Sequence, residues 1–373
     1  KQYLQQSSKL YHNIGTVFLN YSLHKRKSLF KARLIKAVST VKWKYLFNSM
    51  NTVNSSSFTK PHIVQLFNRY ATYNGSDPYK APAMLCLIPH LEYNEGLYYP
   101  KGGMISITNA LYKLALKKGV QFQFNVPVQR IIYNEGKVKG IVVNNQNIYA
   151  DVVVSNVDIY CTYKCLLNDN IGAQKLLKQE RSSSAVVFYW GINKKFPQLH
   201  LHNVFFGRDQ KAEFDHIFRY KKIYHDPSVY INITSKCEEK HSPAGKENWF
   251  VMVNAPANAG QNWNAYKQQC KANIIARLNR RLQTDIESLI EAEETLEPVS
   301  IETKTGSFMG ALYGASSNSR RAAFLRHPNF SKHIQGLYFT GGTVHPGGGI
   351  PLCLKSAKIM SEIIAVDIKH LKH

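Results

Sequence analysis

Gly336-Leu-Tyr-Phe-Thr-Gly-Gly-Thr-Val-His345-Pro-Gly-Gly-Gly349-Ile-Pro-Leu-Cys-Leu-Lys-Ser-Ala-Lys-Ile-Met-Ser-Glu-Ile-Ile364 is the stretch that decides the fold. Residues 337–339 read as a short buried strand, and a glycine-dense turn then leads into a helix. Pro351 suits the first helical turn, where a missing N–H is harmless. Leu354, Ala357, Met360, Ile363 and Ile364 recur at helical spacing and predict one apolar face. Five glycines fall within nine residues: Gly341, Gly342, Gly347, Gly348 and Gly349. A bare strand–helix connection needs only a pair. The surplus predicts a backbone that approaches a ligand, with a helix N-terminus offering free N–H groups behind it.

The remainder of the chain sets the class. With 373 residues there is room for two or three domains, and 44% hydrophobic and 12% aromatic content is that of a globular protein. Lys and Arg total 48 against 24 acidic residues, a net charge of +24. Such an excess predicts attraction to anionic surfaces. The basic residues are dispersed and no nucleic-acid-binding signature accompanies them, so an anionic membrane surface ranks above nucleic acid. Cys86, Cys161, Cys165, Cys237, Cys270 and Cys353 show no C-x-x-C pair and no metal-ligand spacing. They read as small buried hydrophobes in a reducing, cytoplasmic setting, with no metal. No run reaches the roughly 18 apolar residues of a membrane span.

In chain order, residues 1–95 read as helices, with a basic amphipathic pattern over 29–47 and a polar, Ser-rich connector over 51–59. Residues 96–104, Gly-Leu-Tyr-Tyr-Pro-Lys-Gly-Gly-Met, precede a helix that ends at Gly119. Ile107, Leu111, Leu114 and Ala115 are its expected core stripe. The period then changes to two. Strands are expected at 121–124, 127–133 and 137–143, with turns at 134–136 and 144–147, and a buried parallel strand at 151–155. Strands at 184–191, 204–206, 228–233 and 249–253, with a helix over 262–281, predict a mixed or antiparallel sheet. Its apolar residues would form a core or, less commonly, a lipid-sized pocket.

Several of these stretches together resemble bacterial-type phytoene desaturases, the FAD-dependent carotenoid desaturases. The resemblance rests on His345-Pro-Gly-Gly-Gly-Ile-Pro before Lys355-Ser-Ala-Lys, on Tyr99-Pro-Lys-Gly-Gly-Met104, on Ser155-Asn-Val-Asp158, on Arg69-Tyr-Ala-Thr-Tyr with Gly75-Ser-Asp-Pro-Tyr, and on residues 203–206, 228–236, 247–256 and 313–326. It covers nearly the whole chain. The Gly-Gly-Gly-Ile-Pro-Leu-Cys-Leu form leans toward 1-hydroxycarotenoid 3,4-desaturases. It implies an α/β (α+β) fold in which a partial FAD-binding, Rossmann-like domain is interleaved with a mixed-sheet and helical substrate domain. The implied segments are 1–95, helical and substrate- or membrane-facing; 96–180, FAD-binding; 181–300, a substrate-binding sheet; and 301–373, a C-terminal FAD-binding segment.

The resemblance also implies FAD as cofactor, held by Tyr99, Gly102, Gly103, Met104, Val128, Asn156, Gly341, Gly342, Gly347, Gly348, Gly349, Ile350 and Pro351. A carotenoid or other polyene is the implied substrate, dehydrogenated at a carbon–carbon single bond, with peripheral attachment to an anionic membrane. His345 is the candidate acid or base; the competing expectation for it is packing in the turn or bonding to backbone. Flavoproteins of this type hold the pyrophosphate of FAD on a G-x-G-x-x-G unit, and no such motif occurs here. The expectation is that the chain lacks this ADP-cradling unit. Alternatives are a non-catalytic lipid- or carotenoid-binding remnant, another amine-oxidase-like FAD enzyme, and a basic nucleic-acid-binding protein.

Overall fold

A computed structural model describes residues 1–22, 24, 41–319, 322–323 and 325–371. Most of the basic helical pattern expected over 29–47 lies outside them. Among the described residues, helices of eight residues or longer are α1 Gln2–Leu10, α2 Met50–Ser57, α3 Pro61–Asn68, α4 Ile105–Lys117, α5 Asn170–Leu177, α6 Trp263–Leu282, α7 Pro298–Thr305 and α8 Ile350–Leu371. The strands are β1 Val128–Asn134, β2 Lys137–Val143, β3 Gln146–Tyr149, β4 Val153–Ser155, β5 Ser184–Ile192, β6 His202–Phe205, β7 Val229–Asn232, β8 Glu247–Ala255, β9 Ile290–Leu296 and β10 Leu337–Phe339. They group into two compact units. Lys1–Gly96, Val126–Ser183 and Glu302–His373 form one, and Leu97–Asn125 with Ser184–Ile301 form the other.

In the first unit β10 pairs with β4 in parallel, Tyr338 opposite Val154, although the strands are far apart in sequence. Leu337, Tyr338 and Phe339 are all buried. The strand expected over 121–124 does not join this sheet. Those residues belong to the other unit, carry no strand, and leave Phe122 and Phe124 exposed. β1, β2 and β3 form an antiparallel meander. Glu135 and Gly136 both have positive φ, as do Asn144 and Asn145. Each pair therefore makes the two-residue turn whose twist matches its flanking strands.

Two further corrections concern helices of this unit. The Ser-rich stretch read as a connector is helix α2. Ser49 caps it by accepting the N–H of Thr52. Met50, Val53 and Asn54 are fully buried, and Asn54 donates to Asn68 at 2.9 Å. Burial of one face outweighs the modest helix propensity of Ser and Asn. On α8 the buried residues are Ser356, Ile359 and Ile363, while Leu354 is exposed. The inward face is rotated from the expected one because Ile359 and Ile363 pack on Tyr338 of β10.

The second unit is one antiparallel sheet in the order β6-β7-β8-β5-β9. Alternate residues of β8 are buried, from Glu247 to Ala255. Phe188, Trp190, Ile231, Trp249, Val251 and Val253 meet Ile274 and Leu278 of α6 in one closed core. The apolar residues of this sheet thus make a core. Strand β9, Ile-Glu-Ala-Glu-Glu-Thr-Leu, carries too many acids to read as a strand. It lies at the sheet edge, where Glu293 can accept the indole N–H of Trp190 at 2.8 Å. Residues 97–125 group with this unit, not with residues 126–180 as the sequence segmentation has them. Helix α4 buries none of its residues, and Leu111 and Leu114 of the expected core stripe stand about half exposed.

Candidate functional site

The glycine-rich turn between β10 and α8 is held from within by Asn329. That side chain has no solvent exposure. Its Nδ2 donates to the His345 carbonyl at 2.9 Å, to Ser356 Oγ at 2.9 Å and to the Phe339 carbonyl at 3.3 Å. One carboxamide therefore ties the last residue of β10, the middle of the turn and the first turns of α8 together. Ser356 Oγ also accepts the N–H of Gly341 at 3.2 Å, and the Thr340 N–H returns to the Ser155 carbonyl at the end of β4.

The glycines divide into two kinds. At Gly341 an added Cβ would lie 2.3 Å from Asn156 Oδ1, at Gly348 it would lie 2.5 Å from the Tyr313 ring, and at Gly347 it would meet Arg326 at 3.2 Å. These three are small because the protein's own atoms press on them. Gly349 differs: its φ is +99°, and a Cβ there would meet nothing within 4 Å. The backbone at the mouth of α8 therefore faces open space, and first-turn N–H groups of a helix have no partner within it. Ile350 is half exposed beside it.

His345 sits inside this turn with no exposure, and its Nε2–H donates to the Tyr21 carbonyl at 2.9 Å. Burial, chiefly, lowers its pKa to about 4, so the ring is neutral at physiological pH. The Phe18 ring meets it edge-on at 5.4 Å. A buried neutral ring whose Nε2–H is donated to a backbone carbonyl fastens residues 18–21 to the turn.

Other predicted positions lie in the same unit. Asn156 is brought under Gly341, whereas Val128 is a half-exposed residue of β1 paired with Val143. The Ser76 and Asp77 segment is tied to residues 317–318: Ser317 N–H donates to Ser76 Oγ, and Asp77 N–H to Asn318 Oδ1. In the second unit, Gly102 and Gly103 both have positive φ. Gly102 N–H donates to Glu238 Oε1 at 2.7 Å, and a Cβ on Gly103 would touch the His241 ring at 3.1 Å and the Tyr99 hydroxyl at 3.4 Å. Met104 is exposed. Asn329, Glu238 and His241 carry no signal in the sequence, because lone polar residues outside long helices and strands show no periodicity.

Residues 47–365 match the family described as flavin containing amine oxidoreductase. A 1-hydroxycarotenoid 3,4-desaturase of Flavobacterium sp. (strain P99-3) is 49% identical over 97% of this chain and 74% of its own length. The chain belongs to the carotenoid-desaturase branch of the flavin-containing amine oxidoreductases. It is a flavin-dependent oxidoreductase, and its cofactor is FAD. A 4,4'-diapolycopene oxygenase of Methylomonas sp is 29% identical over 87% of this chain and 66% of its own length. A phytoene desaturase of Fusarium fujikuroi is 28% identical over 91% and 65%. The chain thus spans about three quarters of the first relative and about two thirds of the other two. Among solved structures, an oxidoreductase from Methanosarcina mazei aligns with a TM-score of 0.59 at 16% identity, covering 93% of this chain and 74% of the other. Wild-type putrescine oxidase bound to putrescine aligns at 0.56 and 12% identity, over 98% and 76%. These two likenesses show the fold. Among the described residues no atom lies within 4 Å of where a side chain at Gly349 would begin, so the backbone there is open to a cofactor.

Proposed function

We propose that this protein dehydrogenates a carotenoid, using FAD to turn an allylic CH₂–CH₂ unit into a conjugated double bond, with a 1-hydroxycarotenoid as the preferred class of substrate. The observation that carries this reading is the 49% identity to a 1-hydroxycarotenoid 3,4-desaturase over nearly the whole chain. When bound, FAD supplies the hydride-accepting chemistry. The protein supplies position. Gly349, Ile350 and the helix end behind Pro351 would meet the flavin, where the positive end of the α8 dipole would favour electron density. Gly341, Gly342, Gly347 and Gly348 shape the turn that presents this helix end, and Asn329 locks it. Asn156 and Val128 of the first unit would contribute to holding the cofactor, and the Tyr99, Gly102 and Gly103 stretch of the second unit is proposed as cofactor-binding on its likeness to the family motif. His345 serves this arrangement as a fastening for residues 18–21.

The substrate does not dissolve in water, and the protein carries +24 charges. No helix among the described residues is long and apolar enough to cross a membrane. Peripheral binding to an anionic bilayer, from the cytoplasmic side, brings enzyme and polyene together. The test is incubation of FAD-supplemented protein with a 1-hydroxycarotenoid in anionic liposomes. The expected product has one more conjugated double bond and absorbs at longer wavelength. Binding to the liposomes should weaken as salt rises, since exposed charges are screened beyond about 8 Å at physiological ionic strength. Unchanged polyene with flavin bound would refute the reaction, and salt-independent binding to neutral and anionic lipid alike would refute the membrane reading.

A further inference from the structure

The first unit holds a cleft of about 860 Å³ whose lining is strongly cationic. Lys80, Lys175, Lys178 and Lys332 surround it, with Arg326 and His24 on its wall. No ion pair to any of the four lysines or to Arg326 occurs among the described residues. The one acid in the lining, Glu180, accepts hydrogen bonds from Ser316 and Asn318.

Arg326 sharpens the case. Its side chain is 4% exposed, yet among the described residues its hydrogen-bond partners are neutral: the Tyr313 carbonyl at 2.8 Å, the Gly342 carbonyl at 3.4 Å and Ser317 Oγ at 3.4 Å. A buried guanidinium is normally matched by a carboxylate or a bound anion. Burial holds the pKa of Arg326 down to about 10, which still leaves it charged. His24 Nδ1 is buried on the same wall with no hydrogen-bond partner among the described residues. An apolar polyene would gain little against such a lining, whereas a phosphate would meet several cations at once.

We propose that this cleft binds a phosphate-class anion, with Arg326 as its buried counter-charge and Lys80, Lys175, Lys178 and Lys332 as the outer ring. The position of the fixed cation bears on the flavin side of the molecule, because Arg326 also holds the carbonyl of Gly342 within the terminal turn. An anion in the cleft neutralises the group that braces that turn. The phosphate can come from a soluble pyrophosphate or from an anionic phospholipid headgroup. The site goes beyond the dehydrogenation chemistry, and only its lipid source rests on the membrane reading above.

The test uses the chain with Lys175→Glu and Lys178→Glu together, both exposed positions on and beside α5, against Lys117→Glu with Lys118→Glu at the end of α4 as a control of equal charge. Circular dichroism confirms that both remain folded. Titration calorimetry with inorganic pyrophosphate should show a dissociation constant at least tenfold weaker for the cleft variant and unchanged for the control. Co-sedimentation with phosphatidylglycerol-containing and pure phosphatidylcholine vesicles is the second arm. Selective loss of both pyrophosphate and phosphatidylglycerol binding assigns the site to a lipid headgroup. Loss of pyrophosphate binding alone assigns it to a soluble anion. Equal behaviour of the cleft variant and the control, or no pyrophosphate binding by the unsubstituted chain, overturns the proposal.

Discussion

Replacing Asn329 by Ala removes a buried side chain that joins β10, the glycine-rich turn and α8. The carboxamide N–H groups serve the His345 carbonyl, Ser356 Oγ and, at longer range, the Phe339 carbonyl. Ser356 keeps its bond from the Gly341 N–H, and the Phe339 N–H keeps the Asn329 backbone carbonyl. The His345 carbonyl and part of the hydroxyl bonding are left buried without a donor. Each such group costs about 1–3 kcal/mol, so the loss is about 2–5 kcal/mol. Against a total stability on the order of 5–15 kcal/mol, that is large. At about 2–4 °C per kcal/mol for a unit of this size, the midpoint of thermal unfolding should fall by roughly 5–15 °C. Circular dichroism melting measures it, and flavin absorbance per mole of protein after gel filtration should fall with it. A midpoint within about 1 °C of the parent, with flavin retention unchanged, would refute the claim that Asn329 organises the turn.

Further outcomes follow from burial elsewhere. Glu213 is fully buried, accepts the Ser228 N–H and hydroxyl, and has its pKa raised to about 7 chiefly by burial. It binds its proton more tightly folded than unfolded, so stability falls between about pH 4.5 and pH 7, by about 3 kcal/mol; Glu213→Gln should abolish this slope in urea titrations, and an unaltered slope would contradict the assignment. His345 has the opposite sign. Its lowered pKa makes the folded state bind fewer protons, so its contribution is present above the unfolded value near 6.5 and is lost toward pH 4, and His345→Gln should flatten acid unfolding of the first unit. Gly348→Val should destabilise the turn by about 1–3 kcal/mol through overpacking against the Tyr313 ring and reduce flavin retention; full retention in a folded variant would count against the turn's role.

The sequence conveyed the second unit well because β5, β7 and β8 alternate or run apolar and α6 follows at helical period. It also conveyed β4 and β10 as buried strands, since both are short, apolar and end in turn residues. Three things were hidden. The buried face of α2 lies among Ser and Asn, whose composition resembles a loop. β9 is an edge strand written in glutamates. Residues 121–124 have a strand's alternation but no pairing strand among the described residues. At the candidate site the glycines were visible and the reason for each was not. Gly348 yields to Tyr313 and has an ordinary φ, whereas Gly349 is the residue that opens the backbone outward. Asn329 and Arg326, one a hub of hydrogen bonds and the other a buried cation, are defined by tertiary packing alone.

The central claim is that the bound flavin takes electrons from a polyene. FAD-loaded protein in an anaerobic cuvette, mixed with a 1-hydroxycarotenoid in liposomes, should lose its yellow flavin band while the carotenoid becomes lighter by two hydrogen atoms. An oxidised flavin that the polyene leaves yellow, but that an aliphatic amine such as putrescine bleaches, would contradict the account and place the protein among the amine oxidases.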